Sequence, residues 1–159
     1  MSSFNFKRLN HTLTIYRVVQ FILLALLAFM AFIFQNRYGL LGKPDHFFKS
    51  LIFSIIIQMF LVYPLYRLAW RDAGIELDSS VLGLSVDVLK ALRKKRLLSD
   101  LWKISVILFF LIFVVRAPGA EKMGTPFFQS TALFSFLLIF LTYFQCFNFS
   151  AKKRMKQVS

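Results

Sequence analysis

The sequence predicts an all-α integral membrane protein with four transmembrane helices and both termini on the cytoplasmic side. Three observations carry this. Four long runs are nearly free of charge, each close to the length that crosses a hydrocarbon core of about 30 Å. Lys and Arg gather at alternate ends of those runs. No run shows the period-two polar alternation of a membrane barrel, which leaves helices as the form that satisfies its own backbone in lipid. The composition agrees: the 159 residues are 58% hydrophobic with a mean hydropathy of +0.65, against about 45–50% apolar usage in soluble domains.

The first run, 18–34, has 17 uncharged residues behind a basic segment with Lys7, Arg8, His11 and Arg17. A secretory signal has an apolar region of about 7–15 residues and a small-residue cleavage site. This run is longer and ends in Gln35-Asn36-Arg37, so it reads as an uncleaved span. A short loop with Gly39, Gly42 and Pro44 leads to the second span, 50–69, uncharged from Ser50 to Tyr66 and carrying Pro64 in its last turns. The third span, 100–116, is the weakest: only 12 residues separate Lys103 from Arg116, and Lys103 must snorkel to the interface. The fourth, 127–148, lies in a stretch without charge from Met123 to Ala151. With no linker or low-complexity segment, residues 1–159 read as one membrane domain.

Fifteen of the 20 Lys and Arg fall on the side of the termini and the 67–103 connection. The other side holds Arg37, Lys43, Lys49, Arg116 and Lys122. The positive-inside rule therefore places both termini in the cytoplasm, and the natural compartment is a bacterial inner membrane. Tyr16, Trp70 and Trp102 fall at the same interface, as aromatic anchors do. The net charge of +13 needs no nucleic acid to explain it, because the bases flank apolar runs.

Between the second and third spans, Asp78, Ser79 and Ser80 are good N-cap residues. Gly83, Asp87, Lys90 and Lys94 recur on one helical face, and Val81, Leu84, Val88 and Leu92 on the opposite one. This predicts an interfacial amphipathic helix over about 79–95, with a bend near 96–99 before the third span. Lys90, Arg93, Lys94, Lys95 and Arg96 would then meet anionic headgroups or an acidic partner. Arg37 and Arg116, at the outer ends of spans one and three, are further candidates for lipid phosphate. A basic run that serves topology alone explains the same residues.

An internal repeat is visible at an offset of 79–80. Phe32-Ile33-Phe34 with Arg37 returns as Leu111-Ile112-Phe113 with Arg116, and Phe60-Leu61-Val62-Tyr63 returns as Phe140-Leu141-Thr142-Tyr143. It suggests two tandem helical hairpins of parallel orientation. Phe-rich spans also resemble one another by composition, and the chain has 21 Phe.

The chemistry in the spans is sparse. Apart from Asp100 at the edge of the third, they contain no Asp, Glu or His, the residues that build proton relays and coupling sites. His11 and His46 fall at opposite ends, and Cys146 is the single cysteine. No catalytic set, phosphate loop or metal-ligand spacing is present in the sequence, so neither an enzyme nor a cofactor is expected. Gln20, Ser54, Gln58, Thr131, Ser135 and Gln145 are expected to bond between helices. Two functions fit: a non-catalytic subunit that scaffolds or anchors a larger membrane complex, or a small oligomeric transporter, channel or lipid-handling protein. The expected partners are membrane lipids and other membrane subunits, not nucleic acid.

Overall fold

The structure, a computed structural model, describes residues 5–116 and 125–158, without the side chains of 109–111, 113–116 and 125. The chain forms four helices: α1 (Lys7–Leu40), α2 (Asp45–Asp78), α3 (Val86–Arg116) and α4 (Thr125–Val158). Of these, α1, α2 and α4 are long and apolar enough to cross a membrane. At 34 residues each they measure about 50 Å, so α1 and α2 outrun their apolar stretches at both ends and α4 at its C-terminal end.

The helices alternate in direction. Leu9 and Leu13 of α1 pack with Ala69, Ala73 and Leu77 of α2 and with Tyr143, Phe147 and Ala151 of α4. At the far end Phe34 and Tyr38 meet Phe47 and Phe134. The start of α1 and the ends of α2 and α4 therefore share one end of the bundle, called here the termini end. The 41–44 turn closes the other end, with Gly42 at φ 65°.

The centre of the fold is the parallel pair α2 and α4. Small residues let their backbones approach: Ser50, Ser54, Ala69 and Ala73 on α2, and Ser130, Ser150 and Ala151 on α4, all buried. Ser54 Oγ donates to the Thr131 carbonyl at 3.0 Å, and Gln58 donates to Thr142. Near the termini end Gly74 faces Arg154, where a Cβ would lie 2.9 Å from Nη1. These pairs are 77, 84 and 80 residues apart, on either side of the 79–80 offset read in the sequence. The starts of α1 and α3, Lys7 and Val86, are 79 apart.

The connection after α2 departs from the expected layout. Helix α2 continues to Asp78, so residues 70–78 are helix rather than loop. Asp78, Ser79 and Ser80 do not cap a new helix. The Ser79 and Ser80 hydroxyls donate back to the Glu76 carbonyl at 2.7 and 2.9 Å and close α2. Residues 79–85 form a turn with Gly83 at φ 83°. Ser85 caps the next helix, its Oγ accepting from the Val88 amide at 3.4 Å. The amphipathic helix expected over 79–95 thus begins at Val86, and it runs on to Arg116 without ending near 96–99. Val81 and Leu84 lie in the turn and Val88 is 46% exposed, so the expected apolar face is only partly present on α3.

Candidate functional site

The termini end holds a buried ionic cluster fed by all four helices. Its base is the last part of α2, where Ala69, Asp72, Ala73, Glu76 and Leu77 follow helical spacing and turn toward the other helices. The two alanines leave room for partner backbones. The two carboxylates, one turn apart, are almost wholly enclosed.

Asp72 is fully buried. Ser99 of α3 donates to its two oxygens at 3.1 and 2.9 Å. Tyr143 of α4 donates to Oδ2 at 2.7 Å, and Lys103 Nζ of α3 lies 2.8 Å from the same oxygen. Arg71 approaches Oδ1 at 3.4 Å from a largely exposed position. A buried carboxylate without such partners would carry a large desolvation cost, and this one has neutral donors and a cation around it.

Glu76 is held in the same manner. Arg96 Nη1 of α3 lies 2.7 Å from Oε2, and Arg8 Nε of α1 lies 3.3 Å from Oε1. Arg96 also donates to the Tyr16 hydroxyl at 2.8 Å and to Asp100 at 3.2 Å. Burial opposes the Arg96 charge. Tyr16, Glu76 and Asp100 outweigh it and carry the pKa above the ordinary guanidinium value. Aromatic faces complete the enclosure: the Arg96 guanidinium sits 5.7 Å from the Phe147 ring centre and Lys103 Nζ 4.6 Å from that of Tyr143. Tyr16 packs on Phe144 and Phe147 at 4.8 Å.

The cluster is what fastens α3 to the bundle. Arg96, Ser99 and Lys103 point inward, while Leu97, Leu98, Leu101, Trp102 and Ile104 are all more than half exposed. Ionic and hydroxyl bonds thus carry an attachment that apolar packing carries between α2 and α4.

The basic residues singled out in the sequence separate. Lys90, Arg93, Lys94 and Lys95 are exposed on the outside of α3, and Arg96 alone enters the cluster, with its side chain 14% exposed. Arg37 is half-buried in the last turn of α1, at the other end of the bundle. Arg116 ends α3, and its side chain lies outside the described residues. The sequence reading missed Asp72 and Glu76 because both fall beyond the apolar run of the second span. The usable signal was the 69–72–73–76–77 spacing, which is helical despite its charge.

A second polar chain crosses from α1 to α4. Asn148 donates to Gln20 Oε1, and Gln20 donates to Gln145 Oε1, both at 2.8 Å. At the far end the Tyr38 and Ser130 hydroxyls share a bond of 2.8 Å. Gln20, Ser54, Gln58 and Gln145 therefore bond between helices, as expected, whereas the buried Thr131 and Ser135 hydroxyls have no hydrogen-bond partner. No group of three or more metal-ligating side chains occurs among the described residues. Compared with known proteins, the chain matches no family model, no curated protein and no solved structure.

Proposed function

We propose that the chain is a non-catalytic membrane subunit that anchors or scaffolds a larger membrane complex. One observation carries this reading: α3 is bonded inward through charges and presents an unmatched surface outward. On a helix, positions four apart stack along one face. Arg93, Leu97 and Leu101 make one row and Lys94, Leu98 and Trp102 the next. All six are exposed. The surface is basic near the turn and apolar beyond it, which suits a partner with an acidic membrane-proximal segment and an apolar span.

The buried charges support the same reading. Asp72 and Glu76 are each engaged by several groups from other helices, an arrangement that fixes helices in place. In this proposal the termini end faces the cytoplasm of a bacterial inner membrane, because 15 of the 20 basic residues belong to it.

The test is co-purification in mild detergent, with partners identified by mass spectrometry. The variant carries Arg93→Gln, Lys94→Gln and Lys95→Gln. Arg96 is kept, since its loss would disturb the cluster itself. The expected outcome is loss of the co-purifying subunits with normal insertion, and weaker capture from the unaltered chain in high salt. Recovery of the same partners at the same yield in both salts would leave these bases with topology as their role.

A further inference from the structure

Helices α1 and α4 do not close completely. Between them lies an open groove of about 790 Å³, bordered on α1 by Arg17, Gln20, Phe21 and Leu24 and on α4 by residues from Leu141 to Lys152. Its lining changes in order along the bundle. Arg17 and Lys152 stand at the termini end, both exposed and neither with an ion-pair partner among the described residues. One turn further in are the amides of Gln20, Asn148 and Gln145. Beyond them are Phe21, Leu24 and Leu141. Arg17 to Leu24 spans about 10 Å of helix, and Lys152 to Leu141 about 16 Å, at 1.5 Å per residue.

We infer that this groove binds an anionic phospholipid, taken from the leaflet at the termini end. The phosphate sits between Arg17 and Lys152, and one acyl chain lies along Phe21, Leu24 and Leu141. Two features of the lining fit that occupant. Its charged groups are both cations, and no carboxylate belongs to it. The step from cation to amide to hydrocarbon follows the phosphate, ester and chain of a phospholipid lying along the bundle. The groove is on α1 and α4 and the partner surface on α3, so one assignment can fail while the other stands.

The test uses the full chain purified in an uncharged detergent. Binding of dihexanoyl phosphatidylglycerol is measured by titration, with dihexanoyl phosphatidylcholine and inorganic phosphate run in parallel. Phosphatidylglycerol is expected to bind at least tenfold more tightly than phosphatidylcholine, and inorganic phosphate at the same concentration is expected not to displace it. The double variant Arg17→Gln, Lys152→Gln should lose that preference at unchanged helical circular dichroism. The variant Arg67→Gln, Lys153→Gln, which removes equal charge outside the groove, should keep it. Equal binding of the two lipids, retention by the first variant, an equal loss in the second, or displacement by inorganic phosphate would each overturn the assignment.

Discussion

Tyr143 of α4 donates its hydroxyl to Asp72 of α2 at 2.7 Å, joining the two central helices at a carboxylate with no exposure to solvent. The same carboxylate holds Ser99 and Lys103 of α3. One side chain therefore bridges three helices. A hydrogen bond to a charged group contributes about 1.5–3 kcal/mol, and its loss here leaves the acceptor buried. Tyr143→Phe should lower stability by that amount, read from an SDS unfolding titration in micelles. A double-mutant cycle with Asp72→Asn should show coupling of about 1 kcal/mol or more. Additive losses would mean the two residues are neighbours without an energetic bond.

Lys103 and Arg71 both approach Asp72, with different expected consequences. The Lys103 side chain is 16% exposed and that of Arg71 61%. Breaking a buried pair by removing one partner costs about 3–5 kcal/mol, whereas an exposed pair contributes about 0–1. Lys103→Met should therefore cost about 3–5 kcal/mol of stability and Arg71→Met at most about 1 kcal/mol. Equal midpoints in the same titration would contradict the burial argument.

Arg96 and its neighbours in the basic run should part company in stability measurements. Arg96→Gln weakens the bonds to Glu76, Tyr16 and Asp100 at once. The expected loss is about 2–4 kcal/mol, since Glu76 stays buried with Arg8 alone. The triple change at Arg93, Lys94 and Lys95 should stay within about 0.5 kcal/mol of the parent, as surface substitutions do.

Gly74 tests how closely α2 and α4 approach. A Cβ there would meet the Arg154 guanidinium, the far end of a long side chain stacked 4.2 Å over the Trp70 ring centre. Gly74→Ala should be nearly neutral, because Arg154 swings aside and alanine gains up to about 1 kcal/mol of helix propensity. Gly74→Leu has no such escape and should cost about 1–3 kcal/mol as overpacking. Thermal midpoints in one detergent would rank the pair.

The sidedness of the bundle is open to labelling. Leu82, 54% exposed in the 79–85 turn, should resist an impermeant thiol reagent in intact cells as Leu82→Cys on a Cys146→Ser background. Leu40→Cys, at a position 90% exposed at the other end, should react. The reverse pattern would invert the proposed orientation.

The fold was legible where hydropathy speaks alone. The 18–34 and 127–148 runs lie inside α1 and α4, because about 20 uncharged residues in lipid have few alternatives to a helix. The ends were not legible by the same means. Arg67, Arg71, Asp72, Glu76 and Asp78 made the tail of α2 read as loop, although Ala69, Ala73 and Leu77 kept the helical period through it. Asp78-Ser79-Ser80 has the chemistry to cap a helix at either end, and only the Glu76 carbonyl shows which end it serves. Arg96 could not be told from Arg93, Lys94 or Lys95 by composition. Its inward position follows from a shared face with Ser99 and Lys103, and that face has meaning only once α2 is beside it.

The pairing of α2 with α4 sets a schedule for biogenesis. Ribosomes deliver α2 about 80 residues before α4, so the face of α2 that meets α4 has no lasting neighbour while α3 is made. Through that interval Glu76 has only Arg8 of α1 as an ion-pair partner from another helix, and Asp72 has none. Arg96, Ser99 and Lys103 reach them next, and Tyr143 last. A nascent chain halted ahead of Tyr143 leaves an incompletely paired carboxylate where the finished protein has a closed one.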